Sequence, residues 1–127
     1  MHTRPSSPRV SVIVPTKDEA RNLEVLLPDM PDVHEVVLVD AGSRDGTVEV
    51  AQHHLSNLQV IDQTRTGKGN ALVCGMHAAT GDILVTLDAD GSADPCEIPA
   101  FVDALVEGAD FAKGSRYMTG GGSVDLT

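Results

Sequence analysis

The sequence predicts an α/β protein, a Rossmann-like, mainly parallel sheet with helices on both faces. Three observations carry that expectation. Short apolar runs rich in β-branched residues recur at 10–14, 35–40, 58–61 and 82–87, bounded by Gly, Pro or acidic residues. Segments with helix-start chemistry and helical period lie between them, so the order reads β-α four times and then β, the pattern of right-handed parallel units. The run Glu35-Val36-Val37-Leu38-Val39-Asp40 is also continuously apolar between its two acids, as a strand buried on both faces should be.

Residues 1–8, with Pro5, Ser6, Ser7 and Pro8, are expected to form a flexible polar lead, and residues 9–127 the folded domain. Val10-Ser11-Val12-Ile13-Val14 is the first strand, closed by Pro15 and Thr16. A helix is expected to start over Asp18-Glu19-Ala20, its early acids complementing the helix dipole and Leu23, Leu26 and Leu27 forming its apolar stripe. Pro28 and Pro31 end it. After the second strand, Gly42-Ser43-Arg44-Asp45-Gly46-Thr47 is a tight turn into a helix over 48–55. A third strand follows at 58–61, and a helix over 69–79 is stopped by Thr80 and Gly81. The fourth strand runs into Asp88 and Asp90. Pro95 opens a helix with Ile98, Phe101, Val102, Leu105 and Val106 on one face and Gly108 as C-cap. A fifth strand is expected at 110–114, before the glycine-rich segment Gly120-Gly121-Gly122.

A length of 127 residues suits one domain with its own core, and 41% hydrophobic residues is too many for a disordered chain. The formal charge of −10 argues against nucleic acid as a partner, because phosphate backbones reward clustered Lys and Arg. It also disfavours simple electrostatic adhesion to an anionic membrane. Phe101, Phe111 and Tyr117 are the only Phe, Tyr or Trp residues, so stacking platforms for bases or sugars are nearly absent. Cys74 and Cys96 form no Cys-x-x-Cys pattern and read as free core thiols. No apolar run is long enough to span a bilayer, and no signal-peptide core follows Met1. The expected location is therefore cytoplasmic, with at most peripheral contact at the inner face of a membrane.

The sharpest chemical signal is Asp88-Ala89-Asp90. In a strand, residues i and i+2 point to the same side, so the two carboxylates are expected to converge. Carboxylates held together at pH 7 repel unless a cation or a shared proton intervenes. A hard divalent ion such as Mg²⁺ or Mn²⁺, shared with a substrate phosphate, meets that need. A lone Asp-x-Asp is also common as a solvated turn, so position has to decide. In open parallel sheets ligands bind beyond the carboxyl ends of the strands. There the sequence places Pro15-Thr16-Lys17-Asp18-Glu19, Asp40, Arg65-Thr66-Gly67-Lys68-Gly69, Asp88 with Asp90, and Gly114-Ser115-Arg116. Carboxylates for a cation, Lys68 and Arg116 for phosphates, and glycines for close backbone approach describe a site for a metal-bound nucleoside diphosphate.

Rival motifs fail on named residues. A P-loop would need Gly where Asp62 stands and Ser or Thr after Lys68. The dinucleotide fingerprint would need a third glycine at Leu72. A calcium loop from Asp88 would need Gly at Ala93 and Glu at Pro99. His53 and His54 lack i,i+4 partners and read as surface histidines, as does His77, and no spacing supports a Ser-His-Asp arrangement.

Val12-Ile13-Val14-Pro15-Thr16-Lys17-Asp18-Glu19, Val39-Asp40-Ala41-Gly42-Ser43-Arg44-Asp45-Gly46-Thr47, Gly67-Lys68-Gly69-Asn70-Ala71, and Thr80-Gly81-Asp82 with Asp88-Ala89-Asp90 together resemble family 2 glycosyltransferases. Within them the chain is most similar to the dolichol-phosphate mannose synthase-like, polyprenyl-phosphate sugar transferases. Lys113-Gly114-Ser115-Arg116-Tyr117 followed by Gly120-Gly121-Gly122 strengthens that resemblance, which covers about residue 9 to the last. It implies a GT-A fold, incomplete at the C-terminus and holding the nucleotide-sugar-binding part. The implied activity is metal-dependent, inverting transfer of a sugar from a nucleotide-diphospho-sugar donor, of the GDP-mannose or UDP-glucose type, to polyprenyl or dolichyl phosphate. Carried over residue by residue, Pro15, Lys17, Glu19 and Asp40 would line the nucleoside pocket, Asp40 near base or ribose, with Lys68 toward the phosphates. Asp88 and Asp90 would hold Mg²⁺ or Mn²⁺ on the donor diphosphate. The catalytic positions would be Asp90 and Arg116, the arginine meeting donor or acceptor phosphate. The chain departs from the family pattern at Ala41, where a second acid is frequent, at Lys17, commonly aromatic or small, and at Ser92, where some synthases place a Gln ligand. A lipid phosphate is already anionic and attacks without the general base that a hydroxyl needs. Two alternatives stand beside this reading. One is a non-catalytic nucleotide-sugar-binding fragment lacking the acceptor half. The other is a sugar nucleotidyltransferase, which would need a glycine-rich, arginine-bearing loop after strand one, and Pro15-Thr16-Lys17-Asp18-Glu19 contains no glycine.

Overall fold

The structure is a computed structural model that describes residues 8–107, 116–118 and 123–126. Its sheet has the strand order β3-β2-β1-β4-β6-β5, with β1 Val10–Thr16, β2 Glu35–Asp40, β3 Leu58–Asp62, β4 Ile83–Leu87, β5 Arg116–Met118 and β6 Ser123–Leu126. Strands β1 to β4 and β6 are parallel, and β5 runs antiparallel to β6 at one edge. The α/β class and the mainly parallel sheet are as expected. From β1 the chain steps outward to β2 and β3, then returns to lay β4 on the other side of β1. Strand order therefore reverses between β1 and β4, the place where such sheets open a crevice at their carboxyl ends.

Side-chain alternation divides the core between the two faces. Val10, Val12 and Val14 pack on one face with Leu23 and Leu26 of α1 (Ala20–Leu26), Ala51 of α2 (Thr47–His54) and Ile98 of α4 (Ile98–Val106). Ile13, Val37 and Val39 face the other way, against Ala71 of α3 (Lys68–Ala78). Every residue of β2 is buried, which is why its sequence shows no polar alternation. Each buried Val or Leu contributes about 1.5–3 kcal/mol of transfer free energy.

At the amino edge the sheet is pinned by a buried acid. Glu35 accepts hydrogen bonds from Ser11 Oγ at 2.6 Å, from Thr80 Oγ1 at 3.0 Å and from Gln59 Nε2 at 3.3 Å. Ser11 Oγ in turn accepts from Gly81 N at 2.8 Å. Burial raises the Glu35 carboxyl, but the Ser11 hydroxyl, the Thr80 amide and hydroxyl and the nearby His34 outweigh it, leaving it below its ordinary value.

Several expectations need correction. Strand β1 does not close at Pro15 but runs through it to Thr16. The pairing with β4 stops at Ile13, so Pro15 lies where β1 is paired on the β2 side alone and its missing N–H is tolerated. Helix α1 starts at Ala20, so Asp18 and Glu19 precede it and its first turn holds no acid. It continues past Leu26 as a 3-10 turn, Leu27–Asp29, that accommodates Pro28. Pro95 likewise opens a 3-10 turn, Pro95–Glu97, before α4. Strand β4 ends at Leu87, so Asp88 and Asp90 lie beyond it instead of inside a strand. Cys74 is half-buried and Cys96 exposed, so neither is a core thiol. The expected C-cap Gly108 and the fifth strand at 110–114 lie outside the described residues. The strands seen after α4 are β5 and β6.

Candidate functional site

The carboxyl ends of β1, β2 and β3 enclose a cleft of about 640 Å³. Pro15, Thr16, Lys17 and Glu19 line it from β1, Ala41 from β2, and Gln63 through Gly67 with Ala71 from the loop into α3. Of the residues expected to bind a nucleotide, Pro15, Lys17 and Glu19 are brought together here. Gln63, Thr64 and Thr66 were not singled out from the sequence, although Thr66 sits in the flagged strand-end loop. Nothing in Gln63 or Thr64 signals a ligand, and only the parallel register of β3 with β2 carries them there.

Lys17 Nζ donates to Gly42 O at 2.9 Å and lies 3.9 Å from Asp18 Oδ2. Lys68 opens α3, immediately after Gly67, whose φ of 105° is left-handed and suits only glycine. No side chain caps α3, and Gly67 before it and Ala71 near its start line the cleft, so the uncapped amino end of the helix borders it. The lining also brings in the exposed cations Lys17 and Arg65, set against the carboxylate of Glu19, in a chain that is acidic as a whole.

Asp40, immediately before the lining residue Ala41, is not itself part of the lining. Its Oδ1 accepts from Thr16 Oγ1 at 2.9 Å and Ser43 Oγ at 2.6 Å, and its Oδ2 from Ser43 N at 2.8 Å and Gly42 N at 3.1 Å. The residue is 5% exposed. Burial raises its carboxyl, and the Ser43 hydroxyl and amide, the Thr16 hydroxyl and the Gly42 amide outweigh that and hold it below the usual carboxylate value.

Asp88 follows β4 directly and is half-buried, Ala89 is buried, and Asp90 is exposed in a turn closed by Ser92 N donating to Asp90 Oδ1 at 2.9 Å. Because β4 is the neighbour of β1, with strands about 4.8 Å apart, this turn stands beside the Pro15–Lys17 end of the cleft. Two carboxylates in close sequence are the oxygen donors that Mg²⁺ or Mn²⁺ prefers, although no group of three or more His, Cys, Asp or Glu that could hold a metal ion occurs among the described residues. Such an ion takes its remaining oxygens from phosphate and water. The segment after Asp90 lines a second hollow of about 570 Å³ with Asn22, Val25 and Leu26 of α1. Arg116 opens edge strand β5 in register with Asp125, level with the carboxyl end of β4 and separated from it by β6. Among the described residues no helix is long and apolar enough to cross a membrane.

Known proteins resemble the chain in sequence and in fold. A sequence profile described as Glycosyl transferase family 2 matches residues 11–127. The chain is 40% identical over 121 residues to a dolichol-phosphate mannosyltransferase of Pyrococcus furiosus, covering 89% of this chain and 34% of that protein. A mannosyltransferase from Pyrobaculum calidifontis, solved in complex with GDP-Man and Mn²⁺, superposes with a TM-score of 0.63 at 34% identity, over 76% of this chain and 31% of that one. Glucosyl-3-phosphoglycerate synthase from Mycobacterium tuberculosis, solved with Mn²⁺, UDP-glucose and glycerol 3-phosphate, superposes with a TM-score of 0.69 at 29% identity, over 81% and 42%. The chain thus spans 31–42% of the length of these proteins.

Proposed function

Because this chain belongs to glycosyl transferase family 2, we propose that its cleft binds the donor of a metal-dependent, inverting sugar transfer to a lipid phosphate. The observation that carries this reading is the strand-order reversal between β1 and β4, which sets the Asp88–Asp90 turn beside a cleft lined by Lys17, Glu19 and Arg65. A nucleotide-diphospho-sugar of the GDP-mannose or UDP-glucose type fits there, its nucleoside between Pro15, Lys17 and Glu19 and its diphosphate toward Lys68 and Asp88. Mn²⁺-containing complexes of GDP-Man and UDP-glucose in two structural neighbours support a donor of this class.

Asp88 and Asp90 would hold Mg²⁺ or Mn²⁺ through their carboxylate oxygens. When bound, such an ion neutralises the negative charge that develops on a leaving diphosphate. In one displacement, an acceptor phosphate oxygen forms a bond to the anomeric carbon while the bond from that carbon to the diphosphate breaks. The electron pair leaves with the diphosphate, and the configuration at the carbon inverts. Lys17 and the α3 N-terminus keep the nucleotide anchored through this step, and Arg116 is assigned to donor or acceptor phosphate. An ionised phosphate acceptor needs no general base, and a relative named as a dolichol-phosphate mannosyltransferase supports a polyprenyl or dolichyl phosphate in that role.

Calorimetric titration with GDP-mannose and UDP-glucose, with and without Mn²⁺, tests the donor site. Metal-dependent binding of either that is lost in Asp88→Ala and Asp90→Ala is the expected result. Equal binding by wild type and both variants, or no binding at all, would sink the proposal. Incubation with labelled donor and polyprenyl phosphate then separates transfer from the second reading, binding without transfer, which is motivated by the chain's covering 34% of that relative.

A further inference from the structure

Taking the donor cleft proposed above as given, we propose that Asp40 is a positioning residue and not a nucleotide contact, holding the loops after β1 and β2 together so that Lys17 and Glu19 form the cleft wall. An ionised carboxylate has about four acceptor positions. All four of Asp40 are occupied from within the chain, by the Thr16 hydroxyl, the Ser43 hydroxyl and amide, and the Gly42 amide. A base or ribose could reach it only by displacing one of these bonds from a group that is 5% exposed.

What those bonds do is visible one step further out. Ser43 Oγ, donating to Asp40, simultaneously accepts from Asp18 N at 2.8 Å. Asp18 Oδ1 accepts from Arg44 N at 2.8 Å, returning the link to the second loop. Asp18 is the one non-glycine residue among those described with positive φ, 54°. A left-handed conformation is unfavourable for residues other than glycine, though Asp and Asn tolerate it better than most, and it persists where the surroundings hold it. Here the Asp40–Ser43–Asp18–Arg44 chain does so, and the bend it holds falls between Lys17 and Glu19, two residues of the cleft wall. The Gly42 carbonyl that receives the Lys17 ammonium belongs to the same turn, whose amide is bound by Asp40. Asp40 thus orders the wall at one remove, through Ser43 and Gly42.

The test uses the full chain and the variants Asp40→Ala, Asp40→Asn, Ser43→Ala, Lys17→Ala and the double variant Asp40→Ala/Lys17→Ala. GDP and UDP are titrated with Mn²⁺, and backbone amide exchange is followed at Asp18 and Ser43. Asp40→Ala is expected to weaken GDP and UDP by the same factor, on the order of tenfold, with the Asp18 and Ser43 amides exchanging at least about tenfold faster. Adding Lys17→Ala to it should lower affinity by less than Lys17→Ala does alone, because the lysine has already lost its placement. Asp40→Asn should lie between, its oxygen still able to meet the two amides. A changed GDP-to-UDP ratio in Asp40→Ala reveals a direct base contact and overturns the proposal. So does unaltered affinity beside faster exchange, which leaves Asp40 a purely structural role. Should wild type bind neither nucleotide, the donor-site reading fails, and unchanged exchange in Asp40→Ala would then refute the loop-holding role separately. If Asp40→Ala does not fold, Ser43→Ala, which removes only the bridging hydroxyl, gives the same readouts.

Discussion

Asp45 Oδ2 accepts the backbone N–H of Ala20 at 3.1 Å, so the first amide of α1 is capped by a residue that precedes α2, 25 positions along the chain. The same carboxylate takes the Thr47 amide at 3.1 Å and the Thr47 hydroxyl through Oδ1, and Thr47 Oγ1 accepts from Glu19 N at 3.0 Å. Neither helix has a side-chain cap at its own N-cap position, Glu19 for α1 or Gly46 for α2. The Asp45-Gly46-Thr47 turn supplies both. Hydrogen bonding to Thr47 is the main reason the Asp45 carboxyl lies below its ordinary value.

Removing this shared cap should be felt by two helices. Asp45→Ala is expected to lower Tm by about 3–6 °C, the effect of losing an N-cap worth about 1 kcal/mol in a domain of this size. Asp45→Asn, which retains an acceptor, should lose less. Thermal denaturation followed by circular dichroism measures both. Equal Tm values for wild type and Asp45→Ala would show that the cap carries no stability.

Acid should weaken the fold through Glu35 and Asp40. Both carboxyls lie lower in the folded chain than their ordinary values of 4.5 and 3.8. The folded state therefore binds fewer protons than the unfolded state around those values, and their stabilisation is full above them. It is lost as pH falls past 4.5 and 3.8 and through the lower folded values. Urea midpoints between pH 7 and pH 3 should fall across that window, and Glu35→Gln should flatten part of the fall. A flat profile in wild type would contradict the hydrogen-bond assignment at both ends of β2.

Two glycines in tight packing should behave differently. A methyl group on Gly81 would stand 2.8 Å from Arg9 O and 2.9 Å from Ser11 N, backbone atoms that cannot turn aside. One on Gly75 would meet the Ile13 side chain, which can. Gly81→Ala is expected to destabilise by about 1–3 kcal/mol or more. In Gly75→Ala the repacking of Ile13 is partly offset by alanine's advantage of about 1 kcal/mol in a helix. Denaturant unfolding of the two variants should rank them in that order, and the reverse order would refute the packing argument.

The metal role proposed for the turn after β4 can be separated from its shape. Asp90 Oδ1 closes the turn by accepting Ser92 N, and Asn keeps that acceptor while removing the charge. Asp90→Asn should therefore retain the wild-type Tm while weakening Mn²⁺ affinity in the presence of GDP at least about tenfold. Mn²⁺ titration by electron paramagnetic resonance reads this directly. Undiminished affinity would move the metal away from Asp90.

Much of this was legible in the chain because it is local. The unbroken apolar run of β2 announces burial on both faces, and Leu23 and Leu26 mark the buried side of α1 by helical spacing. Pro15 misled because proline's effect in a strand depends on which neighbour is paired beside it, a property of β4 as much as of β1. Asp18 and Glu19 misled because acids before a helix look like acids inside its first turn until the cap partner, Asp45, is known.

By itself the sequence determined the α/β class, the four β-α alternations and the presence of Asp88, Asp90, Lys17, Glu19 and Arg65 at strand ends, since periodicities of 2 and 3.6 and turn chemistry act within a few residues. Only the tertiary structure decided that β4 lies beside β1, which puts the Asp88–Asp90 turn next to the cleft. It also decided that Asp40 accepts from Thr16, at the end of β1, and from Ser43, in the loop after β2. In a parallel sheet each strand's neighbours arrive from distant segments, so strand order and the partners of a strand-end side chain are set by global packing and leave no mark in the local pattern.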